Sequence, residues 1–154
     1  MNRKKIFLAL SIIWMAIIFY MSNQPSSISS AQSGNFIELL KNTPIIGTVL
    51  KTLLESDSAQ FVIRKSAHML SYATLAMLWF MALYDNEKNI RKTSIIAFII
   101  TFIYACTDET HQLFIPGRSG EFRDVLIDST GALIGLGIVY FITHKSQINN
   151  KNTN

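Results

Sequence analysis

Charged residues are scarce in this sequence of 154 residues. Asp, Glu, Lys and Arg together make up 16% of it, whereas apolar residues make up 49%. Soluble domains usually carry about 25% charged residues. The deficit indicates that lipid, rather than water, surrounds much of the chain, and the length favours a single domain.

Other absences exclude particular kinds of site. The chain has one cysteine, Cys106, so it cannot form a disulfide within itself, and the residue lies in an apolar run where a buried thiol is expected. The net charge of +4 is modest and the basic residues do not gather on one stripe, so no nucleic acid partner is predicted. The H-E-x-x-H pattern of helical zinc sites is also missing.

The sequence does have four long apolar segments, at residues 6–23, 62–84, 93–114 and 125–143. A helix that crosses a membrane needs about 20 mainly apolar residues. The second and third segments reach this length only when their polar ends are counted, which places those ends at membrane depth or at the interface. The pattern predicts an all-α membrane protein. Its four-transmembrane-helix bundle lies in residues 1–145, and residues 146–154 form a disordered tail.

The first segment could alternatively be a signal peptide. Arg3, Lys4 and Lys5 precede its apolar run, and residues 29–31 form a weak cleavage site of small residues. The run is long for a signal peptide, however, and the cleavage site lies well beyond its end. The sequence therefore favours a membrane-spanning helix.

Basic residues in the flanks of the segments predict the orientation. One side of the membrane collects eight of them in short flanks, and the other side has six, four of which lie beside acidic and other polar residues. The positive-inside rule therefore predicts that both termini are cytoplasmic. The eight are Arg3, Lys4, Lys5, Lys88, Arg91, Lys92, Lys145 and Lys151.

The long connection after the first segment, residues 22–60, has two recognisable parts. Residues 22–33 are rich in serine and predict turns. Residues 45–55 place apolar side chains on one helical face and polar ones opposite, and Pro44 suits the first turn of a helix. This pattern predicts a short amphipathic helix in the first external loop, lying on the outer surface or capping the bundle.

The polar ends of all four segments converge on one face of the membrane. Positions 64, 68, 71 and 72 share a helical face, as do 104, 108, 111 and 112, and 124, 128, 131 and 135. Ionisable residues at membrane depth turn inward and find partners, because lipid cannot solvate them. Gly131 and Gly135 form a G-x-x-x-G surface, which allows another helix to approach closely.

These polar stretches resemble the VanZ-like family. The resemblance is carried by SNQP at residues 22–25, RKSAHMLSYATL at 64–75, and YACTDETHQLFIPGRSGEFRDVLIDSTGALIG at 104–135. It implies a multi-pass protein of the bacterial cell membrane, in a family whose founding member is linked to resistance to teicoplanin and related lipoglycopeptides. It supplies no catalytic mechanism. The family pattern marks Lys65, His68, Tyr72, Asp108, Glu109, His111, Gln112, Pro116, Gly117, Arg118, Asp124 and Asp128.

The chemistry of this polar cluster has several interpretations. As a general acid–base group it would use His68, Asp108, Glu109 and His111, and as a binding site it would use Lys65, Tyr72, Gln112, Arg118, Asp124 and Asp128. No metal or other cofactor is predicted, although histidine and carboxylates could hold one. The alternative is a charge-paired core that fixes helix register. Arg118 could likewise grip a phosphate or pair with Glu121 or Asp124.

Three functions follow as hypotheses. The first is a protein whose outer polar site binds a lipid headgroup, a lipid-linked cell-wall precursor or a lipoglycopeptide, and so weakens the drug. The second is a membrane enzyme acting on a lipid-linked envelope intermediate. The third is a small transporter, which the sequence favours least because the inner halves of the segments have no ionisable residues.

Overall fold

The computed structural model describes residues 2–44, 51–54, 56, 58–85 and 89–152. These residues contain helices and no strands, which confirms the predicted all-α class for the part of the chain described. The helices are α1 (Arg3–Ser22), α2 (Ser26–Lys41), a single turn α3 (Lys51–Leu54), α4 (Ala59–Leu83), α5 (Ile90–Gln112) and α6 (Phe122–Asn152).

Four of these helices, α1, α4, α5 and α6, are long and apolar enough to cross a membrane. Their starts differ from the predicted ones by three residues, partly because asparagine caps begin two of them earlier than the apolar runs do. The Asn2 side chain accepts a hydrogen bond from the Lys4 backbone N–H at 3.2 Å, and Asn89 accepts one from Lys92 at 3.3 Å. Each cap satisfies a backbone donor that the first helical turn leaves free.

Contacts at one end of the bundle bring the start of α1 and the far part of α6 together with the end of α4. Lys4 forms an ion pair with Asp85, and Gln147 donates a hydrogen bond of 2.9 Å to the Tyr84 hydroxyl. The opposite end is therefore where α1 and α5 finish and where α4 and α6 begin. We call this opposite end the site end.

Helix α4 lies at the centre of the bundle and packs against α1, α5 and α6. Its contact with α6 is the closest, because Gly131 and Gly135 face the Met69 and Ala73 backbone. The glycine pair predicted from the sequence as a packing surface is thus confirmed. Buried apolar residues of α4, including Phe80, complete the core.

Helix α2 corrects the interpretation of residues 22–33 as turns, since a 16-residue helix begins at Ser26. One of its serines, Ser33, satisfies its hydroxyl group within the helix by donating to the Ser29 carbonyl at 3.0 Å. Tertiary packing supplies the rest, because Ile37 is buried against Leu54 and Ala59. Serine-rich composition alone gives no sign of that contact.

The predicted amphipathic helix at residues 45–55 falls mostly on residues 45–50 and 55, which lie outside the described residues. The part that is described, α3, is helical, and its Leu54 side chain is buried. The disordered tail predicted for residues 146–154 is not what the structure has, because α6 continues to Asn152 and residues 153–154 lie outside the described part. The stretch contains neither proline nor glycine, so each added residue extends the helix at little cost.

Candidate functional site

The site end has a buried hydrogen-bonded group at its centre, formed by the last turns of α1 and α5. Ser22 at the end of α1 donates to Asp108 Oδ2 at 2.9 Å. The Gln112 side-chain amide, one turn after Asp108, donates to Asp108 Oδ2 at 3.3 Å and to Glu109 Oε2 at 3.0 Å. All four side chains are buried. The sequence prediction that these polar residues face inward and meet is therefore confirmed.

Arg118, in the loop between α5 and α6, holds this group against α1. Its guanidinium donates to the Gln24 carbonyl at 2.9 Å, to the Met21 carbonyl at 3.3 Å and to Gln112 Oε1 at 3.2 Å. Two of these bonds go to carbonyls at the end of α1 and just beyond it, so they join the loop to that end of the helix. Pairing of Arg118 with Glu121 or Asp124, one of the two sequence interpretations, is not what the structure has.

The loop that carries Arg118 is shaped by its neighbours. Gly117 has a φ of 73°, a backbone conformation that favours glycine, and a Cβ there would lie 2.3 Å from the Ser26 hydroxyl. The Pro116 carbonyl accepts a hydrogen bond of 3.3 Å from the Ser26 backbone N–H. The P-G-R sequence thus ties the loop to the start of α2 while Arg118 turns toward α1.

Burial lowers the pKa of Arg118 below its ordinary value, and the nearby positive charge of Arg64 lowers it further. Asp108 and Glu109 act in the opposite direction. An arginine guanidinium nevertheless stays protonated in proteins. The loop therefore places a permanent positive charge at the site end.

A second contact ties α5 to the start of α6. Glu109 Oε1 accepts a hydrogen bond of 2.8 Å from the Glu121 backbone N–H. Nearby, Lys65 of α4 forms an ion pair with Asp124 of α6, and both side chains are mostly buried. These contacts account for two of the carboxylates that the sequence predicts as site residues.

Asp128 is the most isolated carboxylate of the cluster. It is 1% exposed, and neither of its oxygens has a hydrogen-bond partner among the described residues. The His68 ring lies beside it, with 3.8 Å between His68 Nδ1 and Asp128 Oδ1, beyond hydrogen-bond distance. A buried carboxylate without donors is costly, which marks this position as one kept for something other than stability.

Two tyrosines border the same carboxylates. The Tyr72 side chain is fully buried, and its hydroxyl, which faces Asp108, makes no hydrogen bond of normal geometry. The Tyr104 ring packs against the Tyr72 ring at 6.2 Å between centroids, while its hydroxyl donates to the Met15 carbonyl at 2.6 Å. The Tyr72 hydroxyl therefore faces the buried carboxylate of Asp108, whereas the Tyr104 hydroxyl binds the backbone of α1.

His111 lies at the edge of the site, where its contacts are with the end of α1. Its Nε2 is 3.1 Å from Asn23 Oδ1, and its ring packs on Phe19 at 4.8 Å between centroids. The sequence groups His111 with His68, Asp108 and Glu109 as acid–base candidates. The structure brings the last three toward the interior and leaves His111 at the edge beside the end of α1.

A cavity of about 540 Å³ opens beside this cluster, between α1, α2 and α4. Its walls are largely apolar, with Trp14 and Ile17 from α1, Phe36 from α2, and Ile63 and Leu70 from α4. Its polar lining includes Ser22, Ser29, Gln32, Ser33, Arg64, Ser66, His68, Ser71 and Arg118. Volumes of about 300–1,000 Å³ are typical of ligand pockets.

Arg64 lines this cavity but was not among the site residues predicted from the sequence. Its side chain makes no hydrogen bond or ion pair with any described residue. It lies close enough to Arg118 for the two positive charges to repel, and the described residues that line the cavity include no carboxylate. The signal available in the sequence was the spacing of Arg64 and His68 by four residues, which places both on one face of α4.

Ser22 and Trp14 also belong to the site. Ser22 stands in the S-N-Q-P stretch that resembles the family, but nothing local shows that it binds Asp108, 86 residues away. Trp14 lines the cavity and donates its indole N–H to the Ser71 carbonyl at 3.0 Å. Among the described residues, no group of three or more His, Cys, Asp or Glu side chains is arranged to hold a metal ion.

Comparison with known proteins supports the resemblance seen in the sequence. The family model described as VanZ/LLP1 matches residues 7–143, which include most of each membrane helix and every site residue above. No curated protein and no solved structure matches the chain. The match covers far more than half of the sequence and includes the polar motifs of α4, α5 and α6. This membrane protein with four transmembrane helices belongs to the VanZ/LLP1 family.

Proposed function

We propose that this protein binds the anionic headgroup of a lipid or lipid-linked cell-wall precursor at the outer face of the bacterial cell membrane, and thereby lowers susceptibility to teicoplanin-type lipoglycopeptides. The positive-inside rule supports the orientation, because the flanks opposite the site end carry eight basic residues. The family resemblance supports the link to teicoplanin. The site end then faces outward, where wall precursors and these drugs are found.

The observation that carries the headgroup proposal is the Arg64 side chain, which lines the cavity without a hydrogen bond or ion pair to any described residue. Arg64 and Arg118 both line it, and no carboxylate is among the described lining residues. A charged group near the membrane interior is costly unless it finds a partner. A phosphate brought by a ligand would supply that partner for Arg64.

The geometry of guanidinium suits this ligand. Arginine presents five N–H donors in a planar fork that matches phosphate or carboxylate oxygens. Arg118 already uses three of its donors on Met21, Gln24 and Gln112, so its role is to fix the site and add charge. Arg64 has all of its donors available for the headgroup.

The test is teicoplanin and vancomycin susceptibility in a sensitive host that expresses the chain, with membrane levels matched by blot. We expect wild type to protect against teicoplanin and Arg64→Gln to lose most of that protection. Lys41→Gln is the matched control, because Lys41 is an exposed cation at the end of α2 and does not line the cavity. It should protect like wild type.

Two results would contradict the proposal. Absence of protection by wild type at normal expression would remove the link to teicoplanin. Full protection by Arg64→Gln would remove the cavity as the place of action, even if the drug phenotype stood.

A second candidate function is an enzyme acting on a lipid-linked envelope intermediate, and the contact of His68 with Asp128 favours it. His68 lines the cavity, and its Nδ1 faces a buried carboxylate that could orient the ring. A histidine so placed can accept a proton from a substrate group within hydrogen-bond reach. Of the four acid–base candidates, His68, Asp108, Glu109 and His111, the place of His68 in the cavity lining supports it best for this function.

Turnover by purified protein on a panel of polyprenyl-phosphate and phospholipid substrates tests this candidate. We expect His68→Ala to abolish any turnover and His111→Ala to retain it, since His111 contacts Asn23 and Phe19 instead. No turnover across the panel would sink the enzymatic function and leave binding in place.

A further inference from the structure

We infer that the cavity between α1, α2 and α4 is a lipid site that takes one hydrocarbon chain, with the phosphate of the same lipid at Arg64. The inference rests on the proposed headgroup binding and adds a place for the chain and the class of ligand, a membrane lipid with an anionic phosphate headgroup. The cavity is apolar and, at about 540 Å³, large enough for such a chain.

The distribution of side chains in the cavity matches such an amphiphile. Trp14 and Ile17 form one wall, Ile63 and Leu70 form the wall opposite, and Phe36 closes the side toward α2. The guanidinium of Arg64, on the helical turn that includes Ile63, lies against the same space. The lining therefore offers hydrocarbon contacts beside a cation.

The membrane environment decides what fills the apolar part. Water does not fill the apolar part, because it finds no hydrogen-bond partners on an apolar wall. An empty space is also unfavourable, because the atoms that line it lose dispersion contacts. Lipid chains are the apolar material at hand, because two of the three helices that form the cavity, α1 and α4, are long and apolar enough to cross a membrane. A free phosphate ion would satisfy Arg64 but would leave this part of the cavity empty.

Charge then decides which lipid is held. Chains of anionic and zwitterionic lipids are alike, so the apolar walls cannot tell them apart. One arginine near a membrane surface contributes about a fivefold preference for an anionic headgroup. Arg118 lies close to Arg64 and adds to the positive field rather than cancelling it.

Fluorescence quenching of Trp14 by lipids with brominated chains measures occupancy directly, because bromine quenches only at short range. The background variant is Trp79→Phe, which leaves Trp14 as the single tryptophan. The Trp79 indole N–H has no hydrogen-bond partner among the described residues, so phenylalanine loses no bond there. The protein is reconstituted in phosphatidylcholine vesicles with a small fraction of brominated phosphatidylglycerol or brominated phosphatidylcholine.

We expect brominated phosphatidylglycerol to quench Trp14 at about one fifth of the mole fraction that brominated phosphatidylcholine requires. Arg64→Gln should remove this preference, and Lys41→Gln should keep it. Ala67→Phe places a ring in the cavity and should reduce quenching by both lipids. Ala9→Phe, on an exposed part of α1 outside the cavity, is its control and should change neither.

The outcomes separate the chain site from the headgroup site. If Arg64→Gln removes the preference but Ala67→Phe quenches like wild type, the headgroup binds and the chain lies elsewhere, which overturns this inference and leaves the proposed function intact. If wild type shows no preference between the two lipids, the anionic lipid is not the ligand and both fail. If added inorganic phosphate abolishes the preference at millimolar concentration, the site is one for free phosphate and the inference is overturned.

Discussion

A Cβ atom on Gly131 would lie 2.0 Å from the carbonyl oxygen of Met69, which is closer than any real contact allows. Gly131 and Gly135 thus allow α6 to lie directly against the backbone of α4. Any side chain at position 131, one turn after Asp128, would collide with the α4 backbone, so the position requires glycine. Gly137 lies on the same helix, and a Cβ there meets no heavy atom of the described residues within 4 Å.

Gly131→Ala should lower the free energy of unfolding by about 1–3 kcal/mol, since the added methyl group forces the two backbones apart. Gly137→Ala is the matched control, because a Cβ at Gly137 meets no heavy atom of the described residues within 4 Å. Thermal unfolding in detergent measures both. Equal unfolding temperatures for the two variants would contradict the packing described.

The ion pair of Lys65 with Asp124 predicts a dependence of stability on both partners. Lys65→Met leaves Asp124 mostly buried without its cation, and we expect a loss of up to about 3 kcal/mol. The double variant Lys65→Met/Asp124→Leu should regain most of it, because no unpaired charge then remains.

Glu121→Gln is the comparison for that pair, since the Glu121–Arg123 ion pair is exposed and should contribute about 0–1 kcal/mol. Chemical denaturation in mixed micelles measures the three variants. A double variant less stable than Lys65→Met would show that the two residues do not act as a pair.

Asp128 predicts the opposite response to loss of charge. Both carboxylate oxygens are buried without donors, so Asp128→Asn should raise the unfolding temperature while it lowers protection against teicoplanin. The unmade hydrogen bonds of a buried polar group typically cost about 1–3 kcal/mol. Asp124→Asn provides the contrast, because its carboxylate has a partner in Lys65 and its loss should destabilise. A fall in stability for both variants would mean that Asp128 is a structural anion.

Arg118→Lys separates positioning from charge. Lysine keeps the positive charge but cannot make the three separate bonds to the Met21 and Gln24 carbonyls and to Gln112. We expect faster hydrogen–deuterium exchange over residues 20–24 and lower stability, by about 1.5–3 kcal/mol for each charge-assisted bond that is not replaced. Arg123→Lys, in an exposed pair, should leave exchange there unchanged. Unchanged exchange in Arg118→Lys would show that its charge alone matters.

Local patterns were sufficient for the membrane architecture. Long apolar runs have one stable solution in lipid, the helix, because every backbone N–H and C=O must be satisfied within the segment. The ionisable side chains at positions 64, 108 and 128 had to turn inward, because lipid cannot solvate them. Spacing by three and four residues then placed Asp124, Asp128 and Gly131 on one face of α6, as the structure confirms.

Predictions made from composition were wrong where packing decides the conformation. Residues 26–33 read as turns because they are rich in serine, yet the burial of Ile37 further along against Leu54 and Ala59 keeps them in α2. Residues 146–152 read as a disordered tail because they are polar, yet α6 continues through them. In the first stretch the burial of Ile37 outweighs the local preference for turns. In the second, the preceding turns of α6 outweigh the local preference for disorder.

The sequence by itself determined four membrane helices, an inward polar face on each of three of them, and the family, since these depend on hydrophobicity and periodicity within single segments. Only the tertiary structure decided which polar groups meet. In the tertiary structure Ser22 donates a hydrogen bond to Asp108, and Arg118 donates one to a carbonyl at the end of α1. Arg64 lies beside a largely apolar cavity whose described lining includes no carboxylate. Those outcomes depend on how separate helices are placed against one another, which no periodicity within one helix specifies.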